Sequence, residues 1–276
     1  MPELPEVETF ATELRPHLVG QRFMAAHILW PRTLAEPDAV ALDQRIRDRV
    51  VVDVGRRAKY LIIGLDSGES LIVHLRMTGR LEVVRSDDPI LMGPHLRAWF
   101  DLAGGERLTF TDTRKFGRIW LVSDLVSVTG KLGPEPLDWR FTPEVLGVRL
   151  QGRRSTMKSL LLDQTVVAGV GNIYADESLF LAGIHPLRPA DSLTDGEISR
   201  LHSAIRQVLS EAIDNRGTML RDYRPPYGAE GGHQEHLRVY QQTGKPCPRC
   251  GAPVERIRVT QRSTHFCPHC QPEVKP

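Results

Sequence analysis

An α+β chain of more than one domain is predicted by three observations. Residues 21 to about 125 hold a series of short strand-like runs joined by tight turns, the apolar period then becomes helical, and all four cysteines fall in two Cys-x-x-Cys pairs near the C-terminus. The first argues for an antiparallel β-sandwich or barrel, the second for a helical domain, and the third for a small metal-held ribbon. A chain of 276 residues is long enough for two domains plus such a module, and 41% hydrophobic content is ordinary for a globular protein.

The first element is a helix. Pro5 suits an early helical position, the acids around it suit a first turn, and Val7, Phe10, Leu14 and Leu18 recur at helical spacing until Gly20 stops the run. Strands are expected at Phe23–Trp30, Val50–Val54, Tyr60–Leu65, Leu71–Leu75, Leu81–Val84, Leu96–Leu102, Leu108–Thr111 and Arg118–Val122, with turns such as Asp66-Ser-Gly68 and Ala103-Gly-Gly105 between neighbours. Gly130 to Pro143, containing Gly133-Pro134-Glu135-Pro136, reads as a hinge or linker. Thr194-Asp-Gly-Glu197 is a capping box that opens a long amphipathic helix with Ile198, Leu201, Ile205, Val208, Leu209 and Ala212 on one face, ending near Gly217. The expected boundaries are 1–130 for the N-terminal domain, 131–145 for the linker, 146–235 for the helical domain and 236–273 for the finger.

The ends of the chain carry the chemistry. Removal of Met1 from Met1-Pro2-Glu3-Leu4-Pro5-Glu6 exposes a proline amine beside carboxylates. An α-amino group has a reference pKa near 8 against roughly 10.4 for lysine, so much more of it is neutral and nucleophilic at cellular pH. A secondary amine also condenses with an aldehyde-level carbon, such as C1′ of a nucleoside, to an iminium that has no N–H to lose and so keeps its charge. The same residues equally start a helix, and the two readings are compatible, because the helix is a rigid mount with Glu3 and Glu6 one turn apart on the nucleophile's side.

At the other end, Cys247-Pro-Arg-Cys250 and Cys267-Pro-His-Cys270 are spaced as a tetrathiolate zinc ribbon, a closed and therefore structural site. Four thiolates complete it, which leaves His233, His236, His265 and His269 as bystanders. A disulfide reading fits less well, with no secretory signal and no other cysteine. Residues 216–276 carry ten Lys and Arg against five Asp and Glu, a local +5, whereas the whole chain is only +2. Basicity confined to a zinc-held segment, with Arg256, Arg258 and Arg262 on a strand-turn-strand finger, suggests phosphate contact. No apolar run approaches membrane-spanning length, and with no cleavable signal or lipidation box seen, the cytoplasm is the default compartment.

Six motifs in order resemble the bacterial formamidopyrimidine-DNA glycosylase family from Pro2 to Cys270. They are Pro2-Glu3-Leu4-Pro5-Glu6, Gly55-Arg-Arg-Ala-Lys59-Tyr60, His74-Leu-Arg-Met77-Thr-Gly79, Asp112-Thr-Arg114-Lys-Phe116-Gly117, Gly169-Val-Gly-Asn172-Ile-Tyr-Ala175, and the four-cysteine finger with Gln261-Arg262. The resemblance implies a β-sandwich catalytic domain, a helix-two-turns-helix DNA-binding domain and a zinc finger with one structural Zn2+. It further implies a monomer that acts on damaged double-stranded DNA, removing oxidised purines and then cutting the backbone. Pro2 is implied as the nucleophile, Glu3 as the general acid, and Glu6 as a supporting carboxylate. Met77, Arg114 and Phe116 are implied to fill the gap left by a flipped nucleotide. Lys59, His74, Asn172 and Arg262 are implied to clamp phosphates around the lesion, with Lys158 a further DNA contact and a base-reading loop between Gly217 and Gly232. Arg76 departs from the glycine frequent in relatives. Two other readings stand beside this one: an endonuclease VIII-like glycosylase for oxidised pyrimidines, against which Leu4 argues, and a non-enzymatic zinc-finger DNA-binding protein, against which the pair Pro2 and Glu3 argues.

Overall fold

The structure, a computed structural model, describes residues 1–218 and 231–273. It divides into two compact units, Met1–Gly130 with Arg216–Gly231, and Lys131–Asn215 with Gly232–Pro276. Among the described residues no helix is long and apolar enough to cross a membrane.

The first unit opens with α1 (Leu4–Leu18), which holds Pro5 in its first turn, Glu6 beside it, and Arg15 and His17 in its last turn. Its residues Val7, Phe10, Leu14 and Leu18 are all buried, as the spacing predicts. Arg15 donates through Nε and Nη2 to the Val54 carbonyl at 3.0 and 2.7 Å, and Glu8 pairs with Arg56 at 2.7 Å, so polar bonds as well as the apolar face tie the helix to the sheet.

Then follow β1 (Phe23–Ile28), β2 (Leu34–Glu36), α2 (Ala39–Ile46), β3 (Val51–Arg57), β4 (Tyr60–Leu65), β5 (Ser70–His74), β6 (Gly79–Arg85), β7 (Leu96–Leu102), β8 (Glu106–Asp112), β9 (Arg118–Val122) and the short α3 (Val126–Thr129). Two sheets result, ordered β1-β7-β8-β6 and β2-β9-β5-β4-β3. Every neighbouring pair is antiparallel except β2 with β9, which is parallel. Leu61, Ile63, Leu71, Val73, Ile119 and Leu121 of one sheet share a buried core with Leu81, Ala98, Phe100, Leu108 and Phe110 of the other and with α1.

All eight expected strands are present; β1 stops at Ile28, short of the expected Trp30, and β5 at His74, while β3, β6 and β8 run past their expected ends as pairing outlasts the apolar signal. β6 and β8 pair from Gly79 with Asp112 to Arg85 with Glu106, extending the ladder into polar residues. Three short elements of this unit lie outside the expected set: β2, α2 and the one-turn α3. β2 is too short to show alternation, and α2 owes its start to Asp38, whose Oδ1 accepts from the N–H groups of Val40 and Ala41 at 2.9 Å each.

The second unit comprises α4 (Pro143–Leu150), α5 (Met157–Leu162), α6 (Asn172–Ala182), α7 (Asp195–Asp214) and a hairpin of β10 (Glu255–Val259) and β11 (Arg262–Phe266). The expected capping box opens α7, with the Glu197 N–H donating to Thr194 Oγ1 at 3.3 Å and the Thr194 N–H to Glu197 Oε2 at 2.8 Å. The helix ends at Asp214, before the expected Gly217. Between α5 and α6 the Gln164 side chain stitches two successive turns. Its amide donates to the carbonyls of Leu162 and Val170 at 3.0 and 2.8 Å and accepts from the Gly169 N–H at 3.0 Å, which satisfies backbone groups that neither helix can reach. Gly169 sits at φ 86°, a conformation that suits glycine.

Buried acids on α6 seat the finger. Glu177 accepts the N–H groups of Arg238, Val239 and Tyr240 at 2.9 to 3.1 Å. Burial pushes its carboxyl upward, against the pull of those three donors. Asp176 accepts from the His265 N–H at 2.9 Å, and Gln271 donates to the Ile184 carbonyl at 2.9 Å.

Candidate active site and nucleic-acid contacts

Pro2 and Glu3 are both buried at the head of α1. Glu6 braces them: its Oε2 accepts the Glu3 N–H at 2.8 Å, closing a capping box with Glu3 at the N-cap. Its other oxygen, Oε1, accepts the Thr218 N–H at 2.8 Å. A Cβ on Gly217 would lie 3.0 Å from Glu6 Oε1, and Gly217 has φ 78°, so backbone and spacing both favour glycine there. Arg216 is ion-paired with Glu13 farther along the helix. One carboxylate thus holds the helix start and the beginning of the segment after Arg216.

Lys59 ends the two-residue turn between β3 and β4, after Ala58 at φ 53°, and is buried. The next residue, Tyr60, pairs with His74 across the sheet, with the rings edge to face at 4.7 Å. His74 is buried, and its pKa falls to about 3 because of desolvation first and then the charges of Arg76 and Lys59. Its imidazole is therefore neutral at pH 7. Since Nδ1 accepts the Arg76 N–H at 3.0 Å, the proton sits on Nε2 and that nitrogen is a donor. Arg76 adopts φ 57°, which gives a physical reason for a glycine preference at this position.

Met77, Arg114 and Phe116 lie in the β5–β6 and β8–β9 connections of the same unit. Phe116 is 52% exposed, and the Arg114 guanidinium lies 5.0 Å from its ring centroid. A large exposed ring beside a cation is unlike core packing. Met77 is half-buried.

In the second unit Asn172 is the first residue of α6, and Arg262 the first of β11. The two are brought together, because Asn172 Nδ2 donates to the carbonyl of Ser263 at 3.0 Å. The hairpin turn between Val259 and Arg262 is Thr260-Gln261, with φ 45° and 62°, the two-residue turn with both central residues left-handed. Arg256, Arg258 and Arg262 are exposed on this finger.

Lys158 requires a correction. It is 0% exposed, with Nζ donating to Asp176 Oδ1 at 2.7 Å and to the Asn172 carbonyl at 2.8 Å. A lysine enclosed in this way cannot touch DNA directly. It anchors α5 to the start of α6, where Asn172 is placed.

The four cysteine sulfurs lie within 4.8 Å of one another, with Cys247–Cys270 at 3.8 Å and Cys250–Cys267 at 3.5 Å. A tetrahedral ion with Zn–S bonds of about 2.3 Å requires sulfurs about 3.8 Å apart, so the cluster fits zinc. Among the described residues no histidine joins this group. His265 instead faces Asp176 through Nδ1 at 3.1 Å, and His233 lies beside Asn215 at 3.4 Å.

Family models match almost the whole chain: the formamidopyrimidine-DNA glycosylase N-terminal domain over residues 1–119, the formamidopyrimidine-DNA glycosylase H2TH domain over 132–223, and the zinc finger found in FPG and IleRS over 244–272. The chain belongs to the formamidopyrimidine-DNA glycosylase family. The formamidopyrimidine-DNA glycosylase of Moorella thermoacetica is 49% identical over 260 residues, 93% of this chain and 94% of that one. That of Chloroflexus aggregans is 50% identical over 261 residues, 93% of each. A mutant Lactococcus lactis FPG in complex with a Fapy-dG containing DNA superposes with a TM-score of 0.91 at 36% identity, covering 99% of this chain and all of that one. The L. lactis Fpg with an abasic site containing DNA also gives 0.91, at 36% identity over 98% and 100% of the two chains.

Most of the base-reading loop expected for a family member, residues 219–230, lies outside the described residues. Four acids with clear structural work escaped the sequence reading as such: Asp112, Asp176, Glu177, and Glu6 in its contact with Thr218. The signals present were an aspartate just ahead of a turn, and two adjacent acids in a helix made mostly of apolar residues.

Two outcomes are expected. Changing Arg262 to Ala is expected to weaken DNA binding about equally across sequences and to lower the salt slope by about 1, since an exposed cation is lost from the finger, while zinc content stays intact. Loss of zinc in that variant would make Arg262 structural. For His74 the folded pKa of about 3 lies below the unfolded value near 6.5. The unfolded state therefore binds more protons between those values, and the stability contribution is complete above about pH 6.5 and lost as pH falls towards 3. His74→Gln should lose less stability than the parent between pH 7 and pH 4.5 in urea unfolding, and parallel losses would show that His74 is not the group that titrates.

Proposed function

We propose that this protein is a bifunctional DNA glycosylase and AP lyase of base excision repair. It excises oxidised purines, 8-oxoguanine and formamidopyrimidines, from duplex DNA through a Schiff base on Pro2 followed by β,δ-elimination. The observation that carries this reading is the head of α1, where Pro2 and Glu3 are buried together and Glu6 fixes the Glu3 backbone. The L. lactis Fpg structures that match this fold hold Fapy-dG and abasic-site DNA, which supports the substrate class.

With Met1 removed, the Pro2 nitrogen attacks C1′ of the damaged nucleotide, and the bond from C1′ to the base breaks, the base leaving with that electron pair and taking up the proton that the Pro2 nitrogen loses on forming its new bond. Glu3 protonates the sugar ring oxygen, which opens the ring and leaves a C1′ iminium. The iminium draws electrons, so a proton is lost from C2′ and the 3′ phosphate departs. A second elimination expels the 5′ phosphate, and hydrolysis releases Pro2. Glu6 orients the mount. Reaching C1′ requires flipping the nucleotide from the stack at a cost of a few kcal/mol, and Met77, Arg114 and Phe116 offset that cost by filling the gap and bonding the orphaned base.

Lys59, neutral His74 through Nε2–H, Asn172 and Arg262 donate to phosphates flanking the lesion. Cys247, Cys250, Cys267 and Cys270 hold one Zn2+, whose closed thiolate shell keeps the finger in shape. The protein works as a monomer on damaged double-stranded DNA in the bacterial cytosol.

Borohydride trapping on a duplex with 8-oxoguanine opposite cytosine, read by intact mass and peptide mapping, tests this. A reduced adduct on Pro2 is expected. Adduct only with an oxidised-pyrimidine duplex would move the protein to the endonuclease VIII-like branch, and no adduct there or on abasic DNA would leave a DNA-binding protein without chemistry.

A further inference from the structure

We infer that Asp112 is a positioning residue for base flipping, locking the two loops that carry Met77 and Arg114 with Phe116 into one unit. The inference rests on the proposed role of those three side chains and adds what holds them. Asp112 is the last residue of β8 and is 1% exposed. Its Oδ2 accepts the N–H groups of Phe116 and Gly117 at 2.7 and 2.8 Å. Its Oδ1 accepts the Arg114 N–H at 3.1 Å and the hydroxyl of Thr78, the residue after Met77. Thr78 Oγ1 in turn accepts from the Arg114 N–H at 3.2 Å. Both loops therefore close on one carboxylate.

The pattern of donors separates this role from ordinary fold support. All four groups bound to the carboxylate belong to residues that carry or adjoin the three insertion side chains, and none of these bonds reaches the sandwich core. The core side holds Asp112 by its backbone instead: the Arg97 guanidinium, itself buried, donates Nε to the Asp112 carbonyl at 2.7 Å and Nη1 to the Pro94 carbonyl at 3.0 Å. The loops also fit without slack. A Cβ on Gly117 would lie 2.4 Å from Phe110 Cζ, and one on Gly79 2.4 Å from the Leu75 carbonyl oxygen. Lys115, at φ 61°, places its ammonium 4.2 Å from the Trp30 ring centroid, which pins the middle of the Arg114–Phe116 loop. Charge-assisted bonds to a buried carboxylate are stronger than neutral ones, and partial loss leaves buried donors unpaired. Weakening this centre therefore loosens wedge, cation and ring together.

The consequence is a split between two activities. Removing a base from duplex DNA needs the insertion group. Cutting a single-stranded abasic oligonucleotide needs Pro2 but has neither a base to extrude nor a complementary strand to fill.

The test compares Asp112→Asn, Thr78→Val and Thr78→Ser with the parent protein, using single-turnover excision from an 8-oxoguanine duplex and borohydride trapping on a single-stranded abasic oligonucleotide. Asn keeps the shape but turns one acceptor into a donor. Val keeps the shape of Thr78 and leaves the carboxylate intact, which covers the case in which Asp112→Asn fails to fold. Duplex excision should fall on the order of 10²-fold in Asp112→Asn and by a smaller factor in Thr78→Val, with single-stranded trapping unchanged and Thr78→Ser restoring excision. Equal losses on both substrates, no loss on either, or a Thr78→Ser variant as slow as Thr78→Val would overturn the assignment. If the parent protein itself forms no Pro2 adduct on abasic DNA, the proposed function fails first and this assignment goes with it.

Discussion

The structure depends on a small carboxylate placed where a helix begins. Glu6 accepts the Glu3 N–H with one oxygen and the Thr218 N–H with the other. A nucleophilic chain terminus is intrinsically a poor catalyst, because ends fray and lose orientation. Here the proposed nucleophile, Pro2, immediately precedes the N-cap of a helix whose face is buried in the sandwich core and whose last turn is bonded to Val54 through Arg15. The cost of ordering Pro2 is carried by folding, before substrate arrives.

The same device recurs in both units. Asp112 gathers two loops, Asp176 joins Lys158 of α5 to His265 of β11, and Glu177 seats the segment Arg238–Tyr240. Each is a buried acid that accepts hydrogen bonds from a second stretch of chain: the Thr78 hydroxyl for Asp112, the His265 N–H for Asp176, and the N–H groups of Arg238, Val239 and Tyr240 for Glu177. Leaving such donors unpaired costs about 1–3 kcal/mol each, which makes these junctions stiffer than apolar contact alone. The basic and aromatic residues proposed to meet DNA sit beside these junctions: Arg114 and Phe116 by Asp112, and Asn172 by Lys158 and Ser263. Acids set the geometry, and the cations and amides beside them are the groups proposed to make the contacts.

Much of this was legible in the sequence, for definable reasons. The strands alternate, α1 and α7 carry apolar residues at helical spacing with capping residues at their starts, and two Cys-x-x-Cys pairs admit little but a tetrathiolate site. Lys158 was misread because a buried lysine and a surface lysine are the same letter, and only its partner Asp176, eighteen positions away, separates them. Asp112 lay inside a recognised motif, but its role arises from two loops that meet in space and leave no periodic trace. β2 and α2 escaped because a three-residue strand and an eight-residue helix are too short for periodicity to speak. The neutral state of His74 follows from burial beside two cations, a fact of tertiary structure.

The central claim is that the amine of Pro2, once freed of Met1, performs the chemistry. The most direct test is single-turnover cleavage of an 8-oxoguanine duplex by two homogeneous samples whose N-termini are verified by intact mass, one retaining Met1 and one beginning at Pro2. Both samples should bind the duplex, and only the one beginning at Pro2 should excise the base and cut the strand, because an amide nitrogen at Pro2 cannot attack C1′. Full cleavage by the sample that retains Met1 would contradict the claim and require a different nucleophile.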